Sequence, residues 1–103
     1  MDNNVLRVKD FCDRHNDYAA AGNEIFNISR PMIEKGESIV FDMIGIDSVS
    51  TVFLNTSFGH LIDVFGLVRV KQSFKFTHIL RSQIERIKKY FSDYAECLAD
   101  NDN

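Results

Sequence analysis

The segment 38–44, SIVFDMI, constrains this chain more than any other. Five of its seven residues are large and apolar, and they do not alternate with polar ones. A short run rich in Ile, Val and Phe reads as a strand, and the missing alternation predicts a central strand covered on both faces. Asp42 is the anomaly in that setting. A carboxylate near the end of such a strand requires a hydrogen-bond donor, or a place close enough to the sheet's rim to meet water.

Periodicity assigns the elements around this strand. Residues 5–11, VLRVKDF, alternate roughly and read as a half-buried strand, and the polar CDRHNDY that follows reads as a turn. Residues 19–35 read as a helix, with Ile25, Ile28 and Met32 on one face. Pro31 predicts either a kink or two helical pieces, the second capped by Ser29, and Gly36 predicts the stop. After the connection GIDSVS, residues 51–65 carry the stripe Leu54, Phe58, Leu61, Ile62 and Phe65. Ser50 or Thr51 is the natural N-cap of that helix, and Gly66 the left-handed residue after its end. Gly59 lies mid-helix at a cost of about 1 kcal/mol against alanine, which predicts close approach to the sheet. Residues 73–78 alternate and predict a strand, while LVRVK before them reads as a second short strand or an irregular connection. The last helix opens on a predicted capping box, Ser82 to Glu85, and presents Ile84, Ile87, Phe91, Tyr94 and Leu98. The polar residues 99–103 are expected to fray.

The chain has 103 residues, which is one domain over 1–103. Alternating strands and helices predict an α/β fold: a small mixed, mostly parallel sheet of three to five strands with about three helices. Such a sheet leaves an edge or an open face for a partner. Apolar runs are far shorter than the roughly 18 residues of a membrane span, and MDNNVLRVKD lacks the features of a secretory signal. A cytoplasmic location is therefore expected. Cys12 and Cys97 stand far apart with no ligand spacing, so reduced thiols in or near the core are expected, and no metal or other cofactor.

The block SIVFDMIGIDSVSTVFLNTSFGHLI, with FKFTHILRSQIERIKKYF downstream, resembles the STAS-like group of bacterial domains, distant relatives of the STAS domains of anti-sigma factor antagonists. The shared layout is an apolar strand ending in Asp, a turn rich in Ser and Thr, and a helix starting with Phe. The resemblance covers residues 38–95, with a weaker match over 5–36. It implies a regulatory rather than catalytic role, and a protein partner such as a GHKL-type kinase or ATPase in a partner switch. STAS antagonists carry Asp-Ser-Ser-Gly at the start of the equivalent helix, where a serine is phosphorylated. Here Ser50, Thr51, Val52 and Phe53 stand there, so the aspartate and glycine are missing and only hydroxyls remain.

On that basis the candidate partner-binding or phosphorylation residues are Asp42, Asp47, Ser48, Ser50, Thr51, Asn55 and His60, with Val52 and Phe53 as anchors. A helix N-terminus favours an added phosphate, while Asp42 and Asp47 would repel it. Asp42, Asp47 and His60 could be read as a thin acid/base set, but no phosphate loop, G-x-S-x-G or H-E-x-x-H occurs, and an enzyme is not expected. Charge is uneven. Arg69, Lys71, Lys75, Arg81, Arg86, Lys88 and Lys89 face one acid, Glu85, over 69–89. A nucleic-acid-associated module using this segment, with Phe74 and Phe76 to stack, is the alternative reading. The formal net charge of -3 and the absence of any nucleic-acid motif argue against it. A homodimer through the sheet edge or the last helix would add buried surface to so small a domain.

Overall fold

The computed structural model describes residues 4–101, with side chains to Glu96. In chain order the elements are β1 (Asn4–Arg7), α1 (Val8–His15), α2 (Tyr18–Glu34), β2 (Ile39–Asp42), α3 (Thr51–Phe65), α4 (Leu67–Ser73), β3 (Phe74–Thr77) and α5 (Arg81–Asn101). The three strands form one parallel sheet in the order β1-β2-β3. Five helices among the described residues replace the three expected.

The two extra helices have local causes. The strand predicted over 5–11 ends at Arg7, because Val8 and Phe11 are both buried at helical spacing and Lys9 pairs with Asp13 one turn on (2.9 Å). The stretch expected to be a turn is thus helical through His15, and left-handed Asn16 stops it. LVRVK, expected as strand or irregular, is α4: Val70 is buried and Val68 stands in solvent.

Pro31 does not divide α2. It sits exposed in the last turn, where the helix needs few further bonds, and Ile33 beyond it is fully buried. Ser29 is no cap; it is buried in the middle of α2. Gly36 (φ 77°) ends the helix as predicted, with Glu37 N–H donating to Met32 O and Gly36 N–H to Ile33 O, both at 2.9 Å.

β2 is central, yet only one of its faces is covered. Leu6, Phe41 and Phe76 share one row across the sheet, and Ile39 aligns with Phe74. These residues point into the core, whereas Val5, Arg7, Lys75 and Thr77 point to solvent and Val40 and Asp42 are half-buried. The expectation of two covered faces is overturned for a topological reason. Two successive crossovers running the same way along a sheet, both right-handed, put their helices on the same side. Nothing reverses the winding, so none of the described helices covers the second face.

On the covered face the core is aromatic. Phe41 and Phe74 meet at 4.7 Å between ring centres, Phe58 and Phe74 at 4.7 Å, and Phe58 and Phe91 at 6.3 Å. Each such pair contributes about 0.5–1.5 kcal/mol beyond its area.

α3 contains a π-helical turn, Asn55–Gly59, that the apolar stripe does not reveal. Hydroxyls add to the backbone bonding at this turn: Thr56 donates to Val52 O (3.0 Å), which also accepts from Asn55 N–H, and Ser57 donates to Phe53 O (2.6 Å). Gly59 permits close approach, but to α5 rather than the sheet, since a Cβ there would collide with the Tyr90 hydroxyl. Gly66 has the positive φ expected (92°), with ψ of 153° instead of the left-handed helical value.

α5 begins at Arg81, so Ser82 lies inside the first turn and the predicted capping box is out of register. Gln83 takes that part, its Oε1 accepting from the Leu80 amide at 3.0 Å. The buried stripe is Gln83, Ile87, Tyr90 and Phe91, while Ile84 is exposed. The predicted place of Leu98, the burial of Cys97 and the frayed tail fall at or outside the described residues.

Candidate functional site

The carboxyl ends of the parallel strands are where an open α/β sheet binds its ligands. Here the segment 43–50 leaves β2 over that edge. Met43 N–H extends the ladder by one bond to Thr77 O (3.0 Å), and Gly45 turns the chain with φ 81°. Two side chains of α5 then fix the turn. Buried Gln83 donates through Nε2 to Ile46 O at 2.6 Å. Arg86 donates through Nε to Val49 O (3.2 Å) and through Nη2 to Thr51 Oγ1 (2.6 Å). Ser50 caps α3, its Oγ accepting from Phe53 N–H at 3.1 Å. Asp47, Ser48, Thr51 and Val52 are left exposed on an anchored backbone.

Between this turn and α1 lies a cleft of about 280 Å3. Val8, Met43 and Phe53 are its buried apolar lining, and Lys9, Cys12, Asp13, Tyr18, Asp47, Ser48 and Ser50 its polar one. Lys9 lies across Gly45, where any Cβ would press on its Cδ. The Asp13 carboxylate, by hydrogen bond and then by charge, raises the Lys9 ammonium above its ordinary pKa, and Asp47 adds to it. Burial pushes the Cys12 thiol up, with Asp13 acting in the same direction. One cation against two carboxylates leaves no spare positive charge in the cleft for a free anion.

The predicted residues divide among several places. Asp47, Ser48 and Ser50 line the cleft. Asp42 ends β2 on the open face and has the donors its position demands, the Ile44 amide (3.0 Å) and His78 Nδ1 (3.0 Å). The Ile44 amide first, and His78 after it, hold the Asp42 carboxyl below its usual range. Thr51 faces Arg86. Asn55 is turned to α5, accepting from the Tyr90 hydroxyl at 2.8 Å, whereas His60 stacks on Phe26 of α2 at 3.6 Å. Asp42, Asp47 and His60 therefore have no common partner. Phe53 is only 3% exposed and belongs to the core, whereas Val52 is 52% exposed. Among the described residues no group of three or more His, Cys, Asp or Glu is placed to hold a metal ion.

Sequence reasoning missed Gln83 and Arg86, which position the turn, and Lys9 and Cys12, which face it. Gln83 stands inside the S-Q-I-E of the supposed capping box, and a buried glutamine there carries no periodic signal. The basic segment 69–89 does not form one cationic face. Arg69 donates to Ile33 O (2.9 Å), Arg86 serves the turn, Arg81 pairs with Glu85 and Lys89 with Asp93. Phe74, proposed for stacking on bases, is buried among other rings.

Among the described residues no single helix is long and apolar enough to cross a membrane. A family model described as a STAS-like domain of unknown function (DUF4325) matches residues 11–82, more than two thirds of the chain. Neither the curated proteins nor the solved structures contain a significant match.

Proposed function

Because the chain belongs to the family of STAS-like domains, we propose that it is a non-catalytic regulatory module that binds another protein through the turn Asp47–Thr51 and the start of α3. The observation that carries this reading is the anchoring of the turn. Gln83 and Arg86 tie its backbone to α5 at Ile46 and Val49, and Arg86 also holds the Thr51 hydroxyl, while Asp47, Ser48 and Val52 remain in solvent. A surface held in place before binding loses little conformational entropy on docking. The partner class that fits is a kinase-like ATPase of the GHKL type in a bacterial partner switch.

A phosphate on Thr51 would meet the Arg86 guanidinium already at its hydroxyl, at the N-terminal end of α3. On Ser48 or Ser50 it would stand in the cleft with Asp47 and Asp13. Thr51 is thus the hydroxyl best placed for a stabilised phosphorylated state, and Ser48 and Ser50 for a repulsive one.

The test is affinity capture of the tagged chain from its own host, beside the Val52→Asp variant, with mass spectrometry of the bait. Recovery of a kinase-like ATPase by the parent chain and its loss with Val52→Asp, at unchanged thermal stability, supports the proposal. Equal recovery by both proteins, or capture of nucleic acid instead, refutes it. A phosphate found on Thr51 supports the switch. Unmodified Ser48, Ser50 and Thr51, together with Asp substitutions that alter no interaction, remove it.

A further inference from the structure

A second surface lies on β3, apart from the turn. It is an edge strand, with β2 as its neighbour. Met43 N–H donates to Thr77 O, so the backbone groups of Thr77 face β2, and by the two-residue period those of Lys75 do too. Those of Phe76 then face outward, and none of the described strands pairs with them. Alongside, between β3 and α5, runs an apolar groove of about 210 Å3 lined by Phe74, Phe76, Ile79, Ile84 and Ile87, with Lys71 and Lys88 at its sides. Phe76 and Ile79 are half-buried and Ile84 is 36% exposed.

Charge identifies the occupant. Of the seven basic residues over 69–89, four are engaged by carboxylates or carbonyls within the fold. Among the described residues Lys71, Lys75 and Lys88 have no such partner. Two of these three flank the groove and the third stands on the edge strand itself. The outward backbone groups of Phe76, an apolar trough with two unneutralised ammonium groups at its sides and a third on the other face of the strand lie along one edge. We infer that this edge receives an extended acidic peptide segment of another protein, which adds a strand to β3, places alternate apolar side chains in the groove and sets its carboxylates on the opposite face beside Lys75, with Lys71 and Lys88 adding their charge from the sides of the groove. A second copy joined edge to edge at this strand would bring lysines against lysines, which disfavours that occupant.

The experiment uses the full chain, isotopically labelled, and two end-capped eight-residue peptides, one alternating valine with glutamate and one alternating valine with lysine. The glutamate peptide is expected to bind with amide shifts confined to 74–79 and 84–91, and to weaken with added salt. The lysine peptide is expected not to bind. The exposed double substitution Lys75→Glu with Lys88→Glu should weaken the glutamate peptide about tenfold and admit the lysine peptide. Equal binding of both peptides, shifts elsewhere, or an affinity indifferent to the double substitution would overturn the inference. So would concentration-dependent self-association with shifts on this same edge, which would make the occupant a second copy.

Discussion

Replacing Gln83 by leucine tests how the turn is held. The side chain is 2% exposed and makes two hydrogen bonds, accepting from Leu80 N–H and donating to Ile46 O. Leucine keeps the approximate size and removes both. Leu80 is exposed, so water can replace the first bond, at a cost of about 0.5–1.5 kcal/mol. The Ile46 carbonyl loses its donor on the protein side, at about 1–3 kcal/mol. Burying leucine in place of an amide offsets about 1 kcal/mol. The net loss is about 1–3 kcal/mol against a stability of about 5–15, a fall in Tm of roughly 5–15 °C. Gln83→Glu separates the two bonds. A carboxylate still accepts from Leu80 N–H but opposes its oxygen to the Ile46 carbonyl, whereas the protonated acid can donate there. The folded-state pKa is then raised above the unfolded value of ~4.3. Stability is accordingly full below that value and is lost as pH rises through the folded one. Thermal melts between pH 4 and pH 7 should show Gln83→Glu falling progressively below the parent protein, with Gln83→Leu offset at every pH. Amide spectra of both variants should move at residues 46–51. A Gln83→Leu protein that melts within a degree or two of the parent, with those signals unmoved, would refute the idea that α5 fixes the turn.

Gly59→Ala gains about 1 kcal/mol of helix propensity but drives a methyl into the Tyr90 hydroxyl, for a net loss of about 1–2 kcal/mol seen in urea unfolding. Phe41→Ala empties the centre of the aromatic core and should cost about 3–5 kcal/mol by the same measurement. The Asp42 carboxyl is held low by the Ile44 amide and His78, so its contribution is present above the unfolded value of ~3.9 and lost as pH falls through the folded one. Asp42→Asn should flatten that acid limb in denaturation curves taken between pH 7 and pH 2. In a Cys97→Ser background, burial and Asp13 should make the Cys12 thiol react more slowly with a disulfide reagent at pH 7 than a free thiol does, and Asp13→Asn should speed it.

The local readings that held share one character: each rests on neighbours in the chain. β2 is legible from its Ile, Val and Phe; α3 from its stripe and the Ser50 cap; the end of α2 from Gly36. Short elements blur, because in α1 and α4 a single turn of helix and an alternating strand place the same few apolar residues. What only the tertiary structure decided concerns contacts between distant segments. The bare face of the sheet follows from the order β1-β2-β3, which apolar content cannot report. Gly59 serves α5, not the sheet, because the π turn aims it there. The Asp47–Thr51 turn is visible as composition, yet its rigidity comes from Gln83 and Arg86, some 35 residues away. A chain's periodicity says which residues seek burial; which surfaces then meet is settled by winding direction and by polar side chains that find partners only after folding.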